Sequence, residues 1–264
     1  MDWLDQQQQY FETLQNFGPR LWDGFLLTVQ LTLVGAILAF VIAVVLGLMA
    51  GSPSLWLRGP ARVIIEFFRG TSLLVQLFWV YYVLPLFGLT LESSFTVGVI
   101  ALGLNYGAYG AEAVRASLTS VSTGQWEATV ALSMSWPHKI RRIIFPQAWA
   151  LMIPSLANLL VHLLKGSAIV YIVGLNDFNF ELDQLRRVTD AWFAYAFVGL
   201  IGYFLFALLL TRIMLLLEVR AKHKLGQGPT LREVLSPTPK MPIVAAHPGS
   251  GPSVPGGKAP GGQG

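Results

Sequence analysis

The chain has 264 residues, and only 12% of them are Asp, Glu, Lys or Arg, about half the roughly 25% of an ordinary soluble domain. Hydrophobic residues make up 54% and aromatics 12%, more apolar surface than a soluble fold of this size can cover, so the composition places the chain in a membrane. The formal net charge of +4 is not a nucleic-acid footprint, because the cations flank hydrophobic segments and form no groove-binding stripe; the absence of cysteine excludes disulfides, thiolate metal sites and a cysteine nucleophile.

A spanning helix needs about 20 mostly apolar residues. Five segments supply them, which predicts an all-α integral membrane domain over 24–224 with five transmembrane helices at about 24–50, 70–90, 95–116, 147–173 and 191–217. The segment 1–23 carries Asp2, Asp5, Glu12 and Asp23, so it lacks the basic start of a cleavable signal and reads as an extracytoplasmic N-terminal stretch. The first helix ends at the breaker run Gly51, Ser52, Pro53. The third continues past Glu112 and the fourth past Lys165, which puts ionisable groups inside the membrane. Gly47 with Gly51, and Gly103 with Gly107, have the small-residue spacing that lets helices approach closely, within the bundle or across a dimer contact. Residues 225–264 turn to Gly, Pro and Ser with little to bury and read as a disordered tail, a partner-docking role being the alternative.

Lys and Arg near the helix ends set the orientation. Arg58, Arg62, Arg69, Arg115, Lys139, Arg141, Arg142, Arg212, Arg220, Lys222 and Lys224 fall on one side; Arg20, Arg186 and Arg187 fall on the other. The first side is cytoplasmic, so the N-terminus is outside, the loop 117–146 inside, the segment 174–190 outside and the C-terminus inside.

The loop between the third and fourth helices carries most information. Gly124 starts a helix with Glu127 in its first turn, where a carboxylate suits the positive helix end, and Trp126, Val130, Met134 and Ala131 make an apolar stripe. Ser135 caps a second short helix, Pro137 fits its first turn, and Lys139, Arg141 and Arg142 lie beside Ile140, Ile143 and Ile144 until Pro146 interrupts. Such an amphipathic pair suits a groove on another protein or the surface of the lipid.

The run Gly124-Gln125-Trp126-Glu127-Ala128-Thr129-Val130-Ala131-Leu132-Ser133, followed by Ile144-Phe145-Pro146-Gln147-Ala148, resembles the EAA loop of ABC importer permeases. Phe68-Arg69-Gly70-Thr71-Ser72-Leu73-Leu74-Val75-Gln76-Leu77-Phe78, Ala108-Tyr109-Gly110-Ala111-Glu112-Ala113-Val114-Arg115 and Leu163-Leu164-Lys165-Gly166-Ser167-Ala168 are similar to the second-, third- and fourth-helix signatures of the polar amino acid (histidine/glutamine-type) branch. The Asn105 to Tyr109 and Lys165 to Ala168 runs look most like its ectoine/hydroxyectoine permeases. The resemblance implies a multi-pass permease of the bacterial cytoplasmic membrane that pairs with an identical or sister permease. Two ABC ATPase subunits would dock on the loop through Gly124, Gln125, Glu127, Ala128, Leu132, Ser133, Arg141 and Pro146, and an extracytoplasmic binding protein would deliver a polar amino acid or a zwitterion such as ectoine. ATP and Mg would sit in the ATPase subunits, with no cofactor in this chain. The usual glycine after Leu132 is Ser133 here, Thr129 replaces an alanine, and Phe145 replaces a leucine.

Ionisable side chains in lipid face a bundle interior or a water-filled path. Glu112 and Arg115 lie three apart on one helix face and pair with each other, while Lys165 reaches Glu112 across a helix contact; the set either fixes helix packing or meets the two charges of a zwitterionic solute. Tyr106 and Tyr109 lie near Glu112 and complete the candidate solute pathway, each with a ring face for a solute cation. Arg69 reads as a cytoplasmic anchor. The four histidines are scattered without ligand spacing, so no metal site is expected, and no GxxxxGK loop is present to bind ATP. The chain is therefore not an enzyme by itself. A stand-alone ion-coupled carrier using Glu112, or a membrane anchor without a pathway, are the competing readings.

Overall fold

The computed structural model describes residues 3–189 and 192–224. Its described elements are helical. Helix α1 runs over Trp3–Ala50, well before the expected start at residue 24, because the Gln-rich stretch ahead of Pro19 has helix propensity of its own. After Gly51 and Pro53 come α2 (Leu55–Gly70), α3 (Leu73–Phe78), a π turn (Trp79–Val83) and a 3-10 turn (Leu84–Phe87) that ends at Gly88 with φ +80°. Helix α4 (Ser94–Thr119) follows, with Ser93 capping the Phe95 N–H at 3.2 Å. Then come α5 (Thr123–Ala131), α6 (Trp136–Lys139), a π turn (Ile140–Ile144), α7 (Phe145–Ser167), a 3-10 turn (Val170–Val173), α8 (Phe178–Thr189) and α9 (Trp192–Lys224).

Three stretches are long and apolar enough to cross a membrane, Phe17–Ala50, Trp136–Ser167 and Tyr195–His223; Leu55–Gly70 with Leu73–Phe87, bent by 103° at the break, make a fourth if the pair is one span. In the range of the expected second helix, 70–90, the chain runs continuously over Leu73–Phe87 through α, π and 3-10 turns, and the bend lies ahead of it, between Gly70 and Leu73; the segment 174–190 contains helix α8. The proposed tail, 225–264, lies outside the described residues.

Helix α4 is the axis of the packing. Leu31, Leu38, Ile42 and Ala43 of α1 meet Gly98, Gly103, Gly107 and Gly110 in that order, so α1 and α4 run parallel. Gly110 faces Leu159, the Tyr106 hydroxyl reaches the His162 carbonyl, and Gly98 faces Val170, so α7 runs antiparallel. One apolar cluster (Leu31, Leu77, Leu102, Leu163, Val170) joins α1, α3, α4 and α7 at the α8 end; a second (Ala43, Val114, Ile140, Ile144, Met152) joins α1, α4 and α7 at the α5 end. Wrapped in this way, α4 needs glycines for close approach more than leucines for lipid. Helix α9 packs through Phe206 and Leu210 on Leu164 of α7 and Phe25 of α1, and points Leu200, Phe204 and Leu209 outward.

Candidate functional site

The α5 end of the bundle is built on a helix termination. Ser133 has φ +52°; its N–H donates to the Val130 carbonyl at 2.8 Å, and the Met134 N–H donates to the Thr129 carbonyl at 3.0 Å. Two bonds closing around a left-handed residue form a Schellman turn, whose left-handed position normally carries glycine. The serine here adopts that conformation, which costs a side-chain-bearing residue roughly 1–2 kcal/mol. Thr129 is fully buried with its hydroxyl donating to the Trp126 carbonyl at 2.7 Å, and Trp126 packs on the Ile140 and Ile144 cluster.

The expected stripe is therefore only half of the anchoring face. Trp126 and Met134 are partly covered, whereas Val130 and Ala131 are exposed and Thr129 takes the inward position, because residues three apart share a helix face. Gly124, Gln125, Glu127, Ala128, Leu132 and Ser133 are all exposed, leaving an open face with one carboxylate. Glu127 stands in the second turn of α5, since the helix begins at Thr123, and the Ser122 and Ser135 side chains make no cap bond. The Gln147 amide, 3.4 Å from Gln125 Oε1 and 3.0 Å from the Ile143 carbonyl, ties this face to α7. Arg141 and Pro146 are exposed beside it. Pro146 does not interrupt the chain: the Phe145 N–H bonds to the Ile140 carbonyl five residues back, and this wider turn accommodates the ring and its missing N–H.

The second polar cluster surrounds the break between α2 and α3. The carbonyls freed at the end of α2 are met one by one. Phe67 accepts from the Thr71 hydroxyl at 2.9 Å, Phe68 from the amides of Gln76 at 2.9 Å and Asn105 at 3.3 Å, and Arg69 from the Tyr109 hydroxyl at 3.1 Å. Gln76 also donates to Thr71 Oγ1 at 2.7 Å. Non-helical backbone among apolar helices persists only when its polar groups are satisfied in this way. Gln76 and Asn105 were not among the expected site residues. Their signal is a lone amide inside an apolar run, which once buried must find partners.

Arg69, read as an anchor, stands 5.5 Å over the Tyr109 ring and bonds Glu66 at 3.3 Å. Further along α4, Arg115 grips both carboxylate oxygens of Glu112 through Nε and Nη2, as the spacing of three predicts. The same carboxylate lies in the field of Arg62 and Arg69.

The expected Lys165–Glu112 contact does not form. In the antiparallel α4/α7 register Glu112 lies level with about residue 156, so Lys165 stands nine residues away, about 13 Å along the axis. Lys165 opens instead into a 540 Å3 cavity with Asn179 and Tyr195 at the α8 end. Tyr106 lies over Gly166, where no Cβ could fit, and borders a separate apolar cavity of 240 Å3 between α1, α4, α7 and α9. The four candidate pathway residues thus divide: Tyr109 and Glu112 sit with the arginines at the helix break, Tyr106 faces α7, and Lys165 faces α8.

The α8 end has its own polar packing. Asp177 is fully buried; it accepts from the Phe180 N–H at 3.0 Å, and desolvation pushes its carboxyl up to about 7 against the backbone bonds that favour the charge. Thr28 accepts from the Phe178 N–H at 3.1 Å, and Arg20 pairs with Glu181 at 3.2 Å. Asp183 takes Arg186 and Arg187 at 2.7 and 2.8 Å, bonds that hold its carboxyl below the usual range, and Arg186 covers the Trp192 ring at 4.3 Å.

Residues 43–223 match the family described as binding-protein-dependent transport system inner membrane component. A probable amino-acid ABC transporter permease protein, y4tF of Sinorhizobium fredii, is 39% identical over 83% of this chain and 89% of its own. The arginine transport system permease protein ArtQ of Bacillus subtilis is 33% identical over 77% and 93%. A solved amino acid ABC transporter, crystallised with histidines, superposes with TM-score 0.72 at 33% identity over 80% of this chain and 98% of that one. The inward-facing MetNI methionine transporter, at 18% identity and TM-score 0.59 over 78% and 95%, shares the fold. With its apolar helices and these matches, the chain belongs to the binding-protein-dependent transport system inner membrane components, multi-pass proteins of the bacterial cytoplasmic membrane.

Proposed function

We propose that this chain is the permease subunit of an ATP-driven importer for a polar amino acid or a related zwitterion. Five spans, α1, the α3 segment, α4, α7 and α9, cross with the N-terminus outside and the C-terminus inside. The parallel course of α1 and α4 and the antiparallel course of α7 fit that order. Relatives named for glutamine, cystine and arginine transport support a polar amino acid as the solute. Ectoine and hydroxyectoine, zwitterions of similar size, belong to the same solute class.

The observation that carries the reading is the free face of α5. An exposed carboxylate (Glu127) lies beside exposed Ala128 and Leu132 on a helix pinned from behind by buried Thr129 and half-buried Trp126. This face receives an ATPase subunit. Nucleotide-driven closure of two such subunits, each holding ATP and Mg, pushes α5 against α7 through Gln147 and the Ile140–Ile144 turn. The chain itself catalyses nothing. An extracytoplasmic binding protein docks at the α8 end, and a second permease, identical or a sister, completes the pathway. Near the helix break, a solute that carries both charges exchanges with the existing partners, taking the Tyr109 ring face from Arg69 and the Glu112 carboxylate from Arg115.

Proteoliposomes holding the chain and its copurifying partners test this. Hydrolysis of ATP should rise with one of a panel of binding proteins loaded with arginine, glutamine, histidine or ectoine. Glu127→Lys should insert normally yet lose the ATPase. Uptake driven by a proton or sodium gradient without any ATPase refutes the proposal.

A further inference from the structure

Helix α2 has a face that neither the packing nor the proposed transport cycle uses. At 16 residues it spans about 24 Å, short of the roughly 30 Å of bilayer hydrocarbon, and the chain bends by 103° where it passes into α3. If the α3 segment follows the membrane normal, as in the reading above on which this inference rests, α2 lies nearly flat against one leaflet.

Its sequence is divided accordingly. Trp56, Val63 and Phe67 fall within about 40° of one another around the helix, and they are 90%, 71% and 60% exposed. Arg58, Arg62 and Arg69 share a second sector, about 140° away. Between that sector and the far side, Ala61 and Ile65 are fully covered and pack on Ala50 of α1 and Ala111 of α4, which fixes the rotation of the helix. The free apolar face therefore points away from the bundle, and the arginines follow the opposite edge.

We propose that α2 is a membrane-surface helix of the cytoplasmic leaflet: Trp56, Val63 and Phe67 sit among the acyl chains, and Arg58 and Arg62 reach the phosphates of anionic lipids. A flat amphipathic helix with an indole on its apolar side and guanidinium groups on long stems matches that boundary in both polarity and charge. The carbonyls at its end are already satisfied by Thr71, Gln76, Asn105 and Tyr109, so the elbow into α3 can sit at the membrane surface.

The chain has no cysteine, so single replacements in the full-length protein, assembled with cysteine-free variants of its partner subunits, carry a nitroxide at one site. In nanodiscs containing phosphatidylglycerol, labels at Trp56→Cys, Val63→Cys and Phe67→Cys should collide with oxygen several-fold more often than with a water-soluble nickel chelate, and a label at Arg62→Cys should show the reverse. Replacing phosphatidylglycerol by phosphatidylcholine should reduce the oxygen excess at positions 56 and 63, and Arg58→Gln with Arg62→Gln should abolish that lipid dependence. Labels shielded from both reagents place a protein on this face and overturn the proposal, as do labels open to the chelate; indifference to lipid charge overturns the role given to the arginines. Binding-protein-stimulated ATP hydrolysis, measured on the same discs, reports on the importer reading independently of where the labels lie.

Discussion

The parallel contact of α1 and α4 makes a signed prediction. A Cβ added at Gly47 would fall 2.8 Å from the Ala111 carbonyl oxygen and 2.8 Å from both Cβ and Cγ1 of Val114. A backbone carbonyl and a β-branched side chain cannot step aside, so the helices must separate, and overpacking of this kind costs about 1–3 kcal/mol. The gain in helix propensity from glycine to alanine returns up to about 1 kcal/mol. Gly47→Ala should therefore destabilise the protein by about 1–2 kcal/mol, which lowers the melting temperature by about 2–8 °C for a domain of this size. Gly103→Ala meets first the Cδ2 and Cγ of Leu38, at 2.6 and 2.7 Å, side-chain atoms that a rotamer change can move, and should cost less. Gly59 of α2 has nothing within 4 Å, so Gly59→Ala should stabilise by about 0.5–1 kcal/mol. Gel filtration after heating detergent-solubilised protein reads all three. Gly47→Ala melting at or above the parent would refute the close approach of α1 and α4.

Ser133→Gly should relieve the left-handed strain at the end of α5 and raise stability by about 1 kcal/mol, whereas Ser133→Val should lower it; equal melting temperatures for the three would show that the turn is not left-handed in solution. Asp177 holds its proton more tightly in the folded chain, at about 7 against an ordinary 3.8. The stability this contributes is complete below the ordinary value and is lost as pH rises toward 7, by at most about 1.4 kcal/mol per pH unit. Asp177→Asn keeps an acceptor for the Phe180 N–H and should remove that slope from melting curves taken between pH 5 and 8; identical slopes would rule the assignment out. Gln76→Leu leaves the Phe68 carbonyl with Asn105 alone and should cost about 1–3 kcal/mol. Combining it with Asn105→Leu should cost more than the two single changes together, and simple additivity would mean that the two amides do not share this carbonyl.

The local signals in the sequence translate directly into structure where the deciding interaction is local. Arg115 three residues after Glu112 makes the expected pair because both sit on one helix turn. Gly103 and Gly107 face α1 as their spacing suggests, while Gly51 meets mainly its own helix. Lys165 was misplaced because sequence spacing says nothing about the axial register of two helices, which Tyr106 and Gly166 set through a close contact. The α5 stripe was half misread because a threonine hydroxyl can satisfy itself on the backbone three residues back and then be buried like an alanine.

Composition, charge asymmetry and motif order by themselves determined that this chain lies in a membrane and to which family it belongs, since long apolar runs and flanking cations answer to lipid and water directly. Only the tertiary structure decided which helix becomes the axis. Helix α4 falls short of the apolar spans because its surroundings are other helices, and close packing there favours glycine and asparagine over leucine. The break at Gly70 and Thr71 also needed the fold: residues from α3 and α4, distant in sequence, must converge to satisfy the carbonyls it frees, and no pattern within a single segment records that convergence.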